Sequence, residues 1–567
     1  MNFFIKSGAG PKGTGGKKLK PAARKMLFAA LLLAVAFGLW TSFHYTFKAY
    51  VLEGDSSVFT MLWRGWQEHG FAFFRTWHFT QDNWLLSPAP FVFLVYYIFG
   101  VTGYTVLGLG WAFFVINAVL LAVLTRFLAG RWSMAALVIL CLGLFASEKA
   151  VENGFLSYII CHNTSMAWAF VAVMAAAYGM EKRSGLSAFA LACIIFIAGV
   201  SDPWFHAACT VPLLFVLCLI YLRGKEHRRQ SLITLLGVAG GWALAYTRGL
   251  GLLSFLPRGG FQFISTWEQL RSNAHQLLQA TGTFFSLSEV FEWNHMAGAV
   301  FIAISICIAF EIFRWAVLNM KSLPVRQAVA AGFFPASVVM MSAAYLAYDL
   351  HENNFIYRYL INIYYGLIAF AAFALAWRWK QLPGLFRAMA CAWVVIFLAA
   401  GVASDPAAWE KDINVNDQGA SALASFLEQN GLNYGYADYW AVPADTITWA
   451  SGYREIVRPI GMKFDLSTRP EPRLFFVPWP YETSSTWYEP GDYKDQRRFF
   501  LVLNAAWPGH ALNKASTVPR FDFYTMVSAA ERQFGTPEKT LQFANCVVLV
   551  WDHPVLQALT GAETPGQ

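Results

Sequence analysis

The residues equipped for chemistry in this chain fall in short polar patches between long apolar runs. The first is Asp55 in Gly54-Asp-Ser-Ser57, where Glu53 and Asp55 are the earliest acids of the sequence and follow the first apolar run closely. A carboxylate at that depth is costly unless it faces water or a cation, and its small neighbours predict that it is accessible. Positions 148 to 163 form the second patch, with Glu148, Lys149, Glu152, His162 and Asn163. Glu148 and Glu152 are four apart and would share one helical face. Two like carboxylates that close raise one pKa or recruit a cation. Asp202 precedes Pro203 and is read equally well as a turn residue, and Asp82 as a solvated loop acid. The last patch holds His351-Glu352 and Tyr357-Arg358-Tyr359 at the lip of an apolar run, where a fixed guanidinium could grip a phosphate.

Composition decides what kind of scaffold must position these groups. Of 567 residues, 57% are hydrophobic and only 13% charged, and the mean hydropathy is +0.43. That excludes an ordinary soluble protein and predicts a polytopic α-helical membrane protein. The net charge of +8 invites a nucleic-acid reading, but Lys6, Lys12, Lys17, Lys18, Lys20, Arg24 and Lys25 crowd an acid-free N-terminal tail. Such a tail marks a cytoplasmic end and can lie against anionic lipid; no nucleic-acid partner is expected. The eight cysteines lack zinc-like spacing, and all but Cys546 lie in or beside apolar runs, as small buried residues do.

Charge also sets the topology. Residues 26 to 43 form the first span, an uncleaved anchor leading outward. The stretch from 47 to 100 reads as a long aromatic outer loop, ending in a short interfacial piece from Pro90 to Phe99 that prolines and glycines keep from spanning. With spans then at 104–125, 133–147, 164–180, 186–200, 205–222, 232–246, 296–313, 328–348, 360–377 and 388–402, every basic cluster between spans lies inside. The count is about eleven, and the polar patches gather on the outer side. From 404 to 567 the composition turns mixed. Tyr434–Tyr439, Glu455–Arg458, Arg473–Val477, Phe499–Leu503 and Cys546–Trp551 read as short strands, and Asp417–Asn430 and Met526–Phe534 as helices, predicting a periplasmic α/β domain.

This arrangement resembles the GT-C membrane glycosyltransferases, which include lipid A aminoarabinose transferase, protein mannosyltransferases and oligosaccharyltransferase. The resemblance rests on Asp55 at the start of a long first outer loop, on Leu85-Leu-Ser-Pro-Ala-Pro90 followed by Ile98-Phe-Gly100, and on Arg358-Tyr359-Leu360, and it covers about residues 20 to 400. It implies transfer of a sugar from a polyprenyl-phosphate donor to a lipid, glycan or protein acceptor at the periplasmic face, in a bacterial inner membrane. Asp55 would be the general base, with Glu148 or Glu152 as second acid. Arg358 and Lys149 would bind the donor phosphate, and His162, Asn163, Asp202, His351 and Glu352 would line the substrate site. Asp55 and Glu148 could share a divalent cation, for which hard oxygen ligands suit magnesium or manganese. Trp63, Trp66, Trp77 and Trp84 would anchor the loop at the interface or stack on sugars. The alternatives are a transporter or flippase of lipid-linked sugars, which predicts charges within spans and paired broken helices, and a polymerase or ligase of lipid-linked glycans.

Overall fold

The computed structural model describes residues 21–49, 52–129, 162–223, 227–257, 266–284, 323–348, 357–377, 419–465, 473–505 and 523–555, with isolated positions between them. Helix α1 (Pro21–Ala49) is apolar on all sides and leaves Met26 and Leu33 more than 70% exposed, which only lipid would accept. It is followed by α2 (Gly54–His69), α3 (Ala89–Phe99) and α4 (Gly103–Ala129). Among the described residues three helices are long and apolar enough to cross a membrane: Lys25–Phe47, Gly103–Phe127 and Val325–Ala347. The chain is therefore an integral membrane protein. Of the eleven expected spans, those at 133–147, 296–313 and 388–402 fall largely outside the described residues.

The remaining helices pack beside these. Helices α5 (Asn163–Lys182) and α6 (Gly185–Ser201) form a hairpin whose turn is set by Arg183 in a left-handed conformation and by the Ser184 hydroxyl, which caps the Ser187 amide. After α7 (Val211–Arg223), helix α8 (Arg228–Tyr246) packs along α6. A Cβ on Gly237 or Gly241 would meet the Ala188 or Ala192 carbonyl at 2.6 and 2.5 Å. Small residues four apart are how membrane helices approach this closely. Helices α9 (Trp267–Phe284), α10 (Val325–Ala347) and α11 (Ile361–Trp377) complete the described bundle, and Arg358 sits in a 3-10 turn, Tyr357–Leu360, just before α11.

The segment expected to be a long loop is instead folded against the bundle. Its apolar residues Val58, Phe59, Leu62 and Trp63 share the buried face of α2, while Arg64 and Glu68 pair at 2.7 Å on the outside. Pro88 starts α3 and Gly100 stops it after 11 residues, too short to span, as the prolines and glycines lead one to expect. Trp63, Trp77 and Trp84 are buried and so are not exposed anchors at the interface, and Trp77 and Trp84 line a small cavity together with Glu482, whereas Trp66 is 39% exposed and stacked on Phe93.

Beyond the helices lies a six-stranded mixed sheet, built from β1 (Tyr434–Asp438), β2 (Ile456–Asp465), β3 (Arg473–Pro478), β4 (Phe499–Asn504), β5 (Lys539–Phe543) and β6 (Cys546–Trp551) in the order β3-β2-β1-β4-β6-β5. Strand β1 pairs in parallel with both β2 and β4, and the outer pairings are antiparallel. Alternation along β1 gives the sheet two buried faces. Tyr434 and Tyr436 join the core shared with the membrane helices, while Ala437 joins Val457, Phe500, Val502 and Val548 under α12 (Ala420–Gln429) and α13 (Ala444–Ala450). Helix α14 (Phe523–Phe534) packs on β3. In an open α/β sheet, ligands bind beyond the carboxyl ends of parallel strands where the order reverses. Here that point is the end of β1, and it abuts the start of α2.

Candidate active site

Asp55 lies in the first turn of α2, where the unpaired amides of a helix start favour a negative charge. It is not accessible as its neighbours suggested: only 5% of it is exposed. The small residues around it serve a different end, which is to let the sheet domain come down on the helix. A Cβ on Gly54 would lie 2.5 Å from the Tyr439 carbonyl oxygen. The Ser57 and Thr446 hydroxyls are 2.6 Å apart, Thr446 also donates to the Glu53 carbonyl, and Tyr453 donates to the Thr60 carbonyl at 3.2 Å. A second contact follows along the chain, where the His78 amide donates to the Thr483 carbonyl at 2.7 Å and the Glu482 amide to the His78 carbonyl at 2.6 Å.

Two residues far apart in sequence meet Asp55. Arg358 Nη1 stands 3.3 Å from Asp55 Oδ2, and the Tyr439 hydroxyl is 3.1 Å from Asp55 Oδ1. The same hydroxyl also contacts Glu482 Oε2. Tyr439 is the first residue beyond β1, and its ring lies flat on Trp479 at 5.3 Å. Burial raises the Asp55 carboxyl above the usual carboxylate range, opposed by Arg358 and Tyr439. Burial, then the neighbouring Asp55 charge, pushes Glu482 well above that range. Burial and the Asp202 carboxylate likewise raise Asp82, which is half-buried and not a solvated loop acid.

Beneath this lies a second polar group. Asp202 Oδ2 is 2.8 Å from His162 Nδ1 and accepts from the Ser165 hydroxyl, while Oδ1 accepts from the Trp204 amide at 3.0 Å. The imidazole is stacked on Trp204 at 4.6 Å and flanked by Tyr359 and Trp84. Trp204 Nε1 donates to the Tyr359 carbonyl at 2.7 Å, and this ties the buried pair to the backbone next to Arg358. Trp84 takes a left-handed backbone, φ 57°, a strain that clusters near functional sites. It is held there by its own amide, which donates to the Ser201 carbonyl.

The sequence candidates thus divide. Asp55 and Arg358 are brought together, and His162 and Asp202 pair below them. Asn163 is fully buried and accepts from Asn117 Nδ2, a contact between α4 and α5. Glu148, Lys149, Glu152, His351 and Glu352 lie outside the described residues. The divalent cation expected at Asp55 and Glu148 would take one of its ligands from outside the described residues. Among the described residues no three carboxylates, imidazoles or thiols converge, and Asp55 offers one oxygen to a guanidinium and the other to a phenol.

No protein-family model matches the chain, and no curated protein matches it. The chain is similar to a solved structure, ArnT from Cupriavidus metallidurans in the apo state. The similarity extends over 96% of this chain and 100% of that one, at 13% identity and a TM-score of 0.44. Tyr439 and Glu482 were not expected in the site. Tyr439 stands in the aromatic run Tyr434-Gly-Tyr-Ala-Asp-Tyr-Trp440, a visible signal of something unusual, whereas nothing in Pro480-Tyr-Glu-Thr483 singles out Glu482.

Proposed function

We propose that the protein is a membrane glycosyltransferase of the GT-C kind, which transfers a sugar from a polyprenyl-phosphate donor to a lipid, glycan or protein acceptor at the periplasmic face. The observation that carries this reading is the ion pair between Asp55 and Arg358, 3.3 Å apart at the start of a helix, with the carboxylate buried and the guanidinium partly exposed. Asp55 takes the proton of the acceptor hydroxyl as that oxygen attacks the anomeric carbon. The bond from that carbon to the phosphate oxygen breaks, and the departing lipid phosphate gains negative charge. Arg358, released from Asp55 as the carboxyl becomes neutral, meets that charge through its planar fork of donors. In a site with little water each of these interactions is stronger than in bulk solvent.

His162 and Asp202 do not touch the reacting groups in this account. They hold Trp204 and the Tyr359 carbonyl, and so the turn that carries Arg358. The test is a transfer assay in native membranes, following loss of radiolabelled sugar from polyprenyl-phosphate donors by wild type and by Asp55→Asn. Consumption by the wild type alone supports the reading; equal consumption by both, with both proteins inserted, overturns the role of Asp55. If neither consumes donor, carrier-dependent transfer itself is wrong.

A further inference from the structure

Glu482 Oε2, the Tyr439 hydroxyl and Asp55 Oδ1 stand in a row, the phenol oxygen within hydrogen-bond reach of both carboxyls. A phenol has one proton to donate. If both acids were ionised, one of the two contacts would set lone pairs against lone pairs, in a place where Asp55 and Glu482 are 5% and 6% exposed. Two contacts therefore require a second proton, and it must sit on a carboxyl. Two buried carboxyls this close share one proton for the same reason that like charges cannot both form.

The surroundings decide which acid holds it. Arg358 faces the other oxygen of Asp55 at 3.3 Å and favours the charge there. Glu482 comes from the sheet domain. Among the described residues, the other acid whose charge acts on Glu482 is Asp82, from the segment before α3, and a charge there favours a neutral neighbour. We propose that Asp55 and Glu482 hold a single proton between them through the Tyr439 hydroxyl, with the proton resting on Glu482. The sheet domain thereby keeps Asp55 ionised and aimed. The carboxyl of Glu482 donates to the phenol oxygen, and the phenol proton is donated to Asp55. Glu482 is a positioning residue in this scheme, since it acts through Tyr439 and not on the reacting atoms.

The kinetic consequence rests on the glycosyl-transfer reading above; the sharing itself does not. The experiment is an infrared pH titration of the full chain in lipid nanodiscs, comparing wild type, Glu482→Gln, Asp55→Asn and Tyr439→Phe. The wild type should show a protonated-carboxyl band at neutral pH that Glu482→Gln removes. In Asp55→Asn the same band should titrate lower by about one pH unit or more, because the neighbouring charge is gone. Tyr439→Phe should uncouple the two acids. A band untouched by Glu482→Gln, or one with the same midpoint in wild type and Asp55→Asn, overturns the proposal.

Donor consumption gives the second readout. The wild type should show an alkaline fall in rate, and Glu482→Gln, whose amide can still donate to Tyr439, should keep its turnover within about threefold and lose that fall. An alkaline fall unchanged in Glu482→Gln also overturns it. If no protein consumes donor while the infrared bands shift as expected, the transfer reading fails and proton sharing stands. If donor is consumed and the bands do not couple, the reverse holds.

Discussion

Asp445 offers a quantitative test of how the sheet domain is built. It lies in the first turn of α13, is 1% exposed, and neither carboxyl oxygen has a hydrogen-bond partner among the described residues. Burial pushes its pKa up to about 8, against the opposing charge of Arg458. The folded chain therefore keeps a proton that an opened segment, with an ordinary aspartate pKa near 3.9, would release. Stability contributed by this group is full at acid pH, falls as pH rises above that ordinary value, and stops falling near pH 8. Each pH unit in the window is worth about 1.4 kcal/mol, so between pH 6 and pH 8 the loss is on the order of 2 kcal/mol. The assay is hydrogen exchange at the amides of α13 and β1 in the full chain, corrected for intrinsic rates and converted to opening free energies at several pH values. Asp438, raised by burial to about 7, and Glu482 add slopes of the same sign, so the quantity of interest is the difference between wild type and Asp445→Asn. The variant should lose about 1 kcal/mol per pH unit of slope averaged over this range. Equal slopes in the two proteins would refute the argument, since they would mean that Asp445 is ionised, or solvated, in the folded chain.

Three further outcomes are expected. Gly54→Ala places a methyl group 2.5 Å from the Tyr439 carbonyl oxygen. It should weaken docking of the sheet domain by about 1 to 3 kcal/mol, seen as faster exchange at residues 54–60 with the membrane helices unaffected. Arg358→Gln should lower donor consumption by about 100-fold, as loss of a charge-stabilising donor does, with Arg358→Lys intermediate because it keeps the charge and loses the planar fork; a fully active Gln variant would remove Arg358 from the mechanism. Asp202→Ala leaves the His162 ring, the Ser165 hydroxyl and the Trp204 amide without their shared acceptor and should destabilise the bundle by about 1 to 3 kcal/mol, read as a lower thermal midpoint in detergent, and an unchanged midpoint would show that the pair carries no structural weight.

What could be read from the sequence was what local pattern and charge determine. Strand Cys546–Trp551 is a continuous apolar run and was found to the residue, and β1 was found within one residue. Strand Lys539–Phe543 escaped because it is an exposed edge of the sheet, and its Lys, Thr and Gln carry no burial signal. The short helix Ala444–Ala450 follows Pro443 and is too brief to show a period. In α2 the helical period was present in Val58, Phe59, Leu62 and Trp63, but the surrounding glycines, serines and aromatics read more easily as loop. Asp55 and Arg358 were recognisable as unusual charges at the rims of apolar runs. Their partners were not, because the Tyr439 contact spans 384 residues and the acid it brings, Glu482, is placed by a sheet whose order no local pattern predicts.

On the proposed transfer reading, the close seating of Tyr439 on Gly54 would set a limit on how fast the protein works. If the chain transfers sugars as proposed above, Asp55, almost wholly covered, would be reached by parting the sheet domain from α2, and each cycle would then break and remake the Thr446, Tyr453 and His78 contacts. Motions of that size run on microsecond to millisecond times and commonly set the turnover of enzymes that close over their substrates. Turnover would then follow the friction of the surrounding membrane and solvent, and changing the leaving group of the donor would leave it nearly constant.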